Sequence, residues 1–241
     1  MKTHTICLAL LYLVSGPLAG AEPPKLLATT PALWAIGVDP SMKTLSLKFD
    51  QPLRPGFWDW FGRDVLSPHS TGHTTIDAER TTCTVDVTLQ PGKTYICGLN
   101  EKGIPGVGFQ NDKGASLAPT YLVFQTAGTA APQDAPPRVK AVTPPNGATG
   151  IDPSRVKAIV IAFDQPMGVK KHGLHLFENN KPVDISKIPA SYSTDGTTFT
   201  LPYNFRPATQ YRLELNNNSD IGFSRATRVP LWPAQVSFTT L

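Results

Sequence analysis

Three kinds of side chain in this sequence have the chemistry to form a site: histidines, cysteines, and aspartates that recur in pairs. His69 and His73 sit in a Ser-Pro-His-Ser-Thr-Gly-His segment, and His172 and His175 are three apart behind Lys170-Lys171. A structural or catalytic metal asks for Cys or clustered carboxylates at ligand spacing beside such histidines, and neither pair has them. No Gly-x-Ser-x-Gly elbow, His-Glu-x-x-His helix or phosphate-binding loop occurs. Asp39, Asp50, Asp152 and Asp164 each adjoin a proline or the end of an apolar run, where Asp closes turns with its own carboxylate. The expectation is therefore no catalytic residue, no metal and no cofactor.

The densest aromatic feature is Phe57-Trp58-Asp59-Trp60-Phe61, directly after Arg54-Pro55-Gly56. Alternation puts Phe57, Asp59 and Phe61 on one face and Trp58 and Trp60 on the other, so a single core cannot take them all. One face is then open to a ligand or protein partner, since tryptophan stacks on sugars and anchors protein contacts. Core packing, together with contact to a second domain, is the competing use. Trp34 and Trp232, each near a proline, read as structural.

The elements that would hold these groups are strands. Twenty-four prolines in 241 residues are about twice the usual share, and a proline inside a helix costs about 3 kcal/mol, so mostly helical folds are disfavoured. Leu45, Leu47 and Phe49 alternate with Ser46 and Lys48; Cys83, Val85, Val87 and Leu89 alternate with Thr84, Asp86 and Thr88. This period of two marks strands with one buried face.

The chain also repeats itself. Thr30-Pro31 and Gly37-Val38-Asp39-Pro40-Ser41 return as Thr143-Pro144 and Gly150-Ile151-Asp152-Pro153-Ser154 at an offset of 113. Phe49-Asp50-Gln51-Pro52 returns as Phe163-Asp164-Gln165-Pro166 at 114, and Thr81-Thr82 to Tyr95 as Thr197-Thr198 to Tyr211 at 116. One domain type is used twice, at 22–127 and 138–241, joined by a Pro-rich linker at 128–137 whose prolines stiffen it and favour a loosely preferred, extended arrangement.

Before the first copy, Lys2, the apolar run Ile6–Leu18 and Ala19-Gly20-Ala21 read as a signal peptide, 1–21, cleaved after Ala21. No second run of that kind follows, so no transmembrane segment is expected in the mature chain. Export leaves Cys83 and Cys97 in an oxidising compartment. They align with Phe199 and Leu213 of the second copy, so both should face inward and lie close enough for a disulfide, with a pair of buried thiols as the alternative.

The Pro-rich entry, Gly-Val/Ile-Asp-Pro, the run closing on Phe-Asp-Gln-Pro, Tyr192-Ser193-Thr194-Asp195-Gly196-Thr197-Thr198-Phe199-Thr200-Leu201, the Pro-x-x-x-Tyr turn and the terminal Phe-x-Thr resemble bacterial immunoglobulin-like domains of the S-layer-protein type. The second copy matches closely. The first departs where Trp34 to Ile36 replaces the Asn-Gly-Ala turn kept as Asn146-Gly147-Ala148. The expected fold class is all-β, with two tandem immunoglobulin-like antiparallel sandwiches. In such sandwiches Tyr95 and Tyr211, each four residues after a proline, would be tyrosine corners bonded to the upstream backbone. Secreted copper-binding proteins of similar outline begin with a histidine; here Glu22-Pro23-Pro24 follows the expected cleavage point, which argues against copper carriage.

Residues 22–127 carry 9 Lys/Arg and 10 Asp/Glu, and residues 128–241 carry 12 and 8. The basic second half could favour an anionic surface, but it lacks the dense Lys/Arg stripe with interleaved aromatics of nucleic-acid binders. The functional expectation is a secreted, periplasmic or cell-surface envelope protein, not an enzyme, serving as a binding, adhesion or spacer module for an envelope protein or polysaccharide. An accessory carbohydrate-binding or hydrolytic-complex component, using the aromatic face of the first domain, is the alternative.

Overall fold

The computed structural model describes residues 22–56, 58, 60, 66–100, 108–168 and 171–241. The expected signal peptide, Phe57, Asp59, Phe61 and the side chain of His73 lie outside the described residues. Among the described residues every regular element is a strand.

In β3 (Thr44–Phe49) the alternate residues Leu45, Leu47 and Phe49 are buried, as are Cys83, Val85 and Val87 of β5 (Thr82–Thr88). Register places Leu45 opposite Val85 and Leu47 opposite Cys83, so both apolar sets face the same way. The second copy repeats the pairing with Ile159 opposite Leu201 and Ile161 opposite Phe199, on β9 (Ala158–Phe163) and β13 (Thr198–Pro202). A one-residue slip would turn either set outward, so burial holds the register.

Each copy closes as two sheets over one core. In the first, β1 (Leu26–Thr30), β3, β5 and β4 (His69–Ile76) form one sheet, in that order, and β2 (Ala35–Val38), β7 (Thr120–Thr126) and β6 (Thr94–Leu99) form the other. In the second, β8 (Val139–Thr143), β9, β13 and β12 (Ser191–Tyr192) oppose β11 (Lys181–Val183), β10 (Leu174–Glu178), β14 (Gln210–Leu215) and β15 (Ala234–Thr239). Phe49, Phe109 and Phe124 fill the first core and Phe199, Phe223 and Phe238 the second. These are two tandem immunoglobulin-like sandwiches. Each copy has a parallel pairing: beyond Pro31 the chain changes sheets and β2 runs alongside β7, and beyond Pro144 Ile151 bridges Thr240 in the same sense. A proline has no N–H for the ladder, so both copies leave the first sheet there.

Two sequence expectations need correction. Cys83 and Cys97 are both fully buried in the first core but no disulfide joins them, and their sulfurs are not at bonding distance. Cys83 on β5 and Cys97 on β6 lie on opposite sheets, and a bridge across a sandwich forms only where two inward-facing residues stand directly opposite with Cβ atoms about 4 Å apart, which these two do not. Burial pushes the Cys83 thiol pKa up to about 12. Trp60 itself is only 4% exposed and belongs to the core, edge-on to Phe109 at 5.8 Å, so it offers no surface to a ligand. Trp58 is half-buried and rests against the same core. The chain at 58 and 60 is not in a strand, so the alternation that would pair the two indoles on one face does not operate there.

Candidate functional site

The residues assigned to structural work sit on the strands that hold the cores. The Tyr95 hydroxyl, at the start of β6, accepts a hydrogen bond from the Gln90 N–H at 2.8 Å; the Tyr211 hydroxyl, on β14, accepts one from the Arg206 N–H at 2.7 Å. Burial raises the Tyr211 pKa, which keeps the phenol protonated so that it also donates to Glu178 Oε1 at 3.2 Å. Asp39 and Asp152 accept from the N–H groups of Ser41 and Ser154, both at 2.8 Å. Asp50 and Asp164 tie the chain entry by accepting from the Lys25 and Arg138 N–H groups. All four recurring acids are thus spent on the backbone.

The histidines are dispersed. His69 is exposed on β4, while His172 lies half-buried beside Phe199 and Phe223, where loss of solvent lowers its pKa. His175 Nε2 is 3.2 Å from Asp220 Oδ2. Among the described residues no group of three His, Cys, Asp or Glu side chains could hold a metal ion. No helix among them is long and apolar enough to cross a membrane.

Sequence reasoning did not single out Asn100 and Asn216, which stand at the repeat offset of 116. Asn216 donates from Nδ2 to the Phe223 and Leu231 carbonyls and accepts at Oδ1 from the Phe223 N–H. Asn100 makes the same three bonds to Phe109 and Leu117. Both have positive φ, which Asn tolerates better than other side chains. The signal was present as an Asn closing each strand of the repeat.

The most distinctive assembly is the joint between the two sandwiches. Trp34, in the turn before β2, has φ +59°, where the second copy has Gly147 at +78°. A non-glycine there costs roughly 1–2 kcal/mol. Three bonds and an aromatic contact offset it. The Trp34 N–H donates to the Val123 carbonyl at 2.6 Å, its indole N–H donates to Asn218 Oδ1 at 2.8 Å, and its carbonyl accepts from the Trp232 indole at 2.8 Å. The two indoles meet edge to face, centroids 5.6 Å apart, a contact worth about 0.5–1.5 kcal/mol. The Asn218 carbonyl also accepts from the Tyr121 N–H at 2.6 Å, at the edge of β7.

Residues 128–137 are tied to both sides. Asp134, almost fully buried, pairs with Lys93 Nζ at 2.7 Å and its carbonyl accepts from Thr94 Oγ1. On the other side the Arg225 guanidinium donates to the Pro132 and Ala135 carbonyls at 2.7 and 3.0 Å, Thr227 Oγ1 to Gln133, and Gln165 Nε2 to Pro136. The loosely held arrangement expected from the prolines is replaced by one fastened at several points.

The outer face of the sheet of β6 and β7 differs between the copies. Every residue of β6 is buried, including Thr94 and Ile96 on its outer face, and Ile96 pairs with the buried Val123. At the same positions of the second copy stand Gln210, Arg212 and Ser237, with Arg212 beside Glu214 and 3.7 Å over the Phe177 ring. This polar face needs no cover.

Residues 133–240 match the family model of the bacterial Ig-like domain. No curated protein matches the chain in sequence. Among solved structures it is similar to an I-band fragment of titin, at 15% identity over 91% of this chain and 65% of that one, with a TM-score of 0.28. It is similar also to a titin Ig tandem, at 14% identity over 91% and 97% of the two chains with a TM-score of 0.26. A third is the Ig1–Ig2 pair of Dpr2 in complex with DIP-Theta Ig1–Ig3, at 12% identity over 91% and 99% with a TM-score of 0.29.

Proposed function

We propose that this chain is an exported, non-catalytic envelope protein in which two copies of a bacterial immunoglobulin-like domain act as a spacer that holds a binding surface at a set orientation. The observation that carries this reading is the joint, where a bulky residue occupies a left-handed position in order to fasten one sandwich to the other. Such strain persists only where the surroundings over-determine it, and it gathers at functional positions. Bacterial Ig-like character over 133–240 supports a module of this kind; the assignment of both copies to the S-layer-protein type rests on the repeated motifs of the sequence. In this reading residues 1–21 are removed as a signal peptide, 22–127 and 138–241 are the domains, 128–137 is the segment that seats them, and the periplasm or cell surface is the location. The carbohydrate-binding alternative through Trp58 and Trp60 has less support, because Trp60 lies in the core.

Small-angle scattering on the mature protein and on a Trp34→Gly/Trp232→Ala variant tests the spacer. The parent should fit a single arrangement of the two domains, and the variant an ensemble with a broader distance distribution. A parent that already scatters as a freely hinged pair would overturn the reading.

A further inference from the structure

The end of the second core carries a polar cluster that the first core does without. Glu178, on β10, has a side chain only 13% exposed, and three groups converge on it. The Tyr203 hydroxyl donates to Oε1 at 2.6 Å, the Tyr211 hydroxyl donates to the same oxygen at 3.2 Å, and Arg206 Nε lies 3.5 Å from Oε2. The Arg206 backbone N–H, in turn, donates to the Tyr211 hydroxyl at 2.7 Å. The first copy manages the same corner without this cluster: Val87 stands where the second has Tyr203, Gln90 where it has Arg206, and Gln90 alone meets the Tyr95 hydroxyl. Apolar residues in place of a buried ionic group are commonly neutral or stabilising, so stability alone does not explain the second copy's choice.

The cluster instead fixes two side chains at the wall of an open hollow. Tyr203 and Arg206 line it together with Lys157, Asn204, Ile188 and Pro202, around a volume of about 380 Å³. Tyr203 is pinned by its hydroxyl while its ring is half-buried against Phe205, and burial with the Glu178 bond raises its pKa, so it stays a neutral phenol. Lys157 Nζ donates to the Pro153 carbonyl, which spends one of its three protons. The Arg206 side chain is 76% exposed even with its Nε facing Glu178, so the rest of the guanidinium stands in solvent where a ligand can meet it.

We propose that this hollow binds an acidic oligosaccharide, with a uronate carboxylate between Lys157 and Arg206, the sugar face against Tyr203 and hydroxyls on the Asn204 amide. An oriented aromatic ring beside an amide suits a pyranose, and two cations a few residues from it suit a carboxylate. The excess of basic residues in this half of the chain adds long-range attraction for a polyanionic chain. The assignment rests on the reading of the chain as a non-catalytic module.

Isothermal titration of the full mature protein with a hexameric oligogalacturonate tests it, beside the carboxyl-reduced neutral oligomer, inorganic phosphate and anionic phospholipid vesicles. Saturable binding to the uronate is expected, weakening with added salt and falling about tenfold in a Lys157→Gln/Arg206→Gln variant whose native fold is verified by circular dichroism and thermal melting, and falling in Lys157→Gln alone, which leaves the Glu178 cluster intact. A Trp58→Ala variant should bind as the parent does. Absence of uronate binding, equal binding of the neutral oligomer, phosphate or vesicles, or an unchanged affinity in the double variant would each overturn the site while leaving the spacer reading to the scattering test. Cleavage of the oligomer during the titration would overturn the non-catalytic reading instead.

Discussion

The two repeat-related asparagines, Asn216 buried and Asn100 half-buried, show how much a single side chain organises. Asn216 satisfies the Phe223 N–H and the Leu231 carbonyl inside the protein, and shares the Phe223 carbonyl with the Leu231 N–H. Leaving buried polar groups unmade costs about 1–3 kcal/mol each. Asn216→Ala is therefore expected to lower the unfolding free energy by about 3 kcal/mol in urea titration, and Asn216→Asp by a comparable amount, since a carboxylate cannot donate to Phe223 and Leu231. A loss under about 0.5 kcal/mol, the range of ordinary surface changes, would show that the loop is held elsewhere. The cysteines give a second test at this scale. Cys83, buried and with its pKa raised to about 12, is protonated at neutral pH and so not nucleophilic. Iodoacetamide should leave Cys83 and Cys97 untouched in the native protein and modify both in denaturant without reductant. An unreduced, denatured protein with neither cysteine alkylatable would mean that they are bridged after all. The inward direction of both cysteines was legible from their repeat mates Phe199 and Leu213; their failure to meet was not, because facing inward says nothing of which partner fills the space between sheets.

At the scale of elements, period-two alternation places β3, β5, β9 and β13 and their buried faces directly, because each has one side in a core and one in solvent. β6 breaks the rule. Its sequence alternates Tyr95, Cys97 and Leu99 with Thr94, Ile96 and Gly98, yet all six are buried, because its outer face is covered as well. The turns between elements carry their own dependence on pH. Asp39 and Asp152 have pKa values below the usual 3.8, Asp39 chiefly through the Ser41 backbone N–H and Asp152 chiefly through Ser154. A carboxylate depressed by folding stabilises above its unfolded pKa and loses that contribution as pH falls through the folded value. The contribution of these two turns should therefore be constant from neutrality to about pH 4 and be lost below it, with a shallower decline below pH 4 in an Asp39→Asn/Asp152→Asn variant; His172, whose pKa is lowered by burial, adds a separate decline that starts as pH falls through about 6.5 and is the same in the variant. An acid limb that is identical in the variant would remove these turns from the account.

At the scale of the molecule, the joint concentrates the tests on Trp34. Replacing it by glycine, as in the second copy, removes the left-handed strain and also both indole contacts. The first sandwich should keep its own stability or gain slightly, while interdomain order falls. Residual dipolar couplings that fit one alignment tensor in the parent and two in Trp34→Gly would show this, whereas one tensor in both would mean that Lys93–Asp134 and the Arg225 bonds suffice. The substitution itself was visible as Trp34 standing where the repeat has a glycine turn, and so was the exchange of Arg212 for Ile96. Their meaning was not visible, since an indole beside a proline suits a core as well as a joint.

The sequence by itself determined the fold class, its duplication, the buried face of most strands and the use of the recurring aspartates in turns. These follow from short-range regularities that each copy states twice. Only the tertiary structure decided that Trp60 is core, that Cys83 and Cys97 stay thiols, that residues 128–137 are fastened to both sandwiches, and that Glu178, Tyr203 and Arg206 meet. Each of those outcomes depends on which distant surfaces come into contact, and a contact between segments dozens of residues apart leaves no period in the chain.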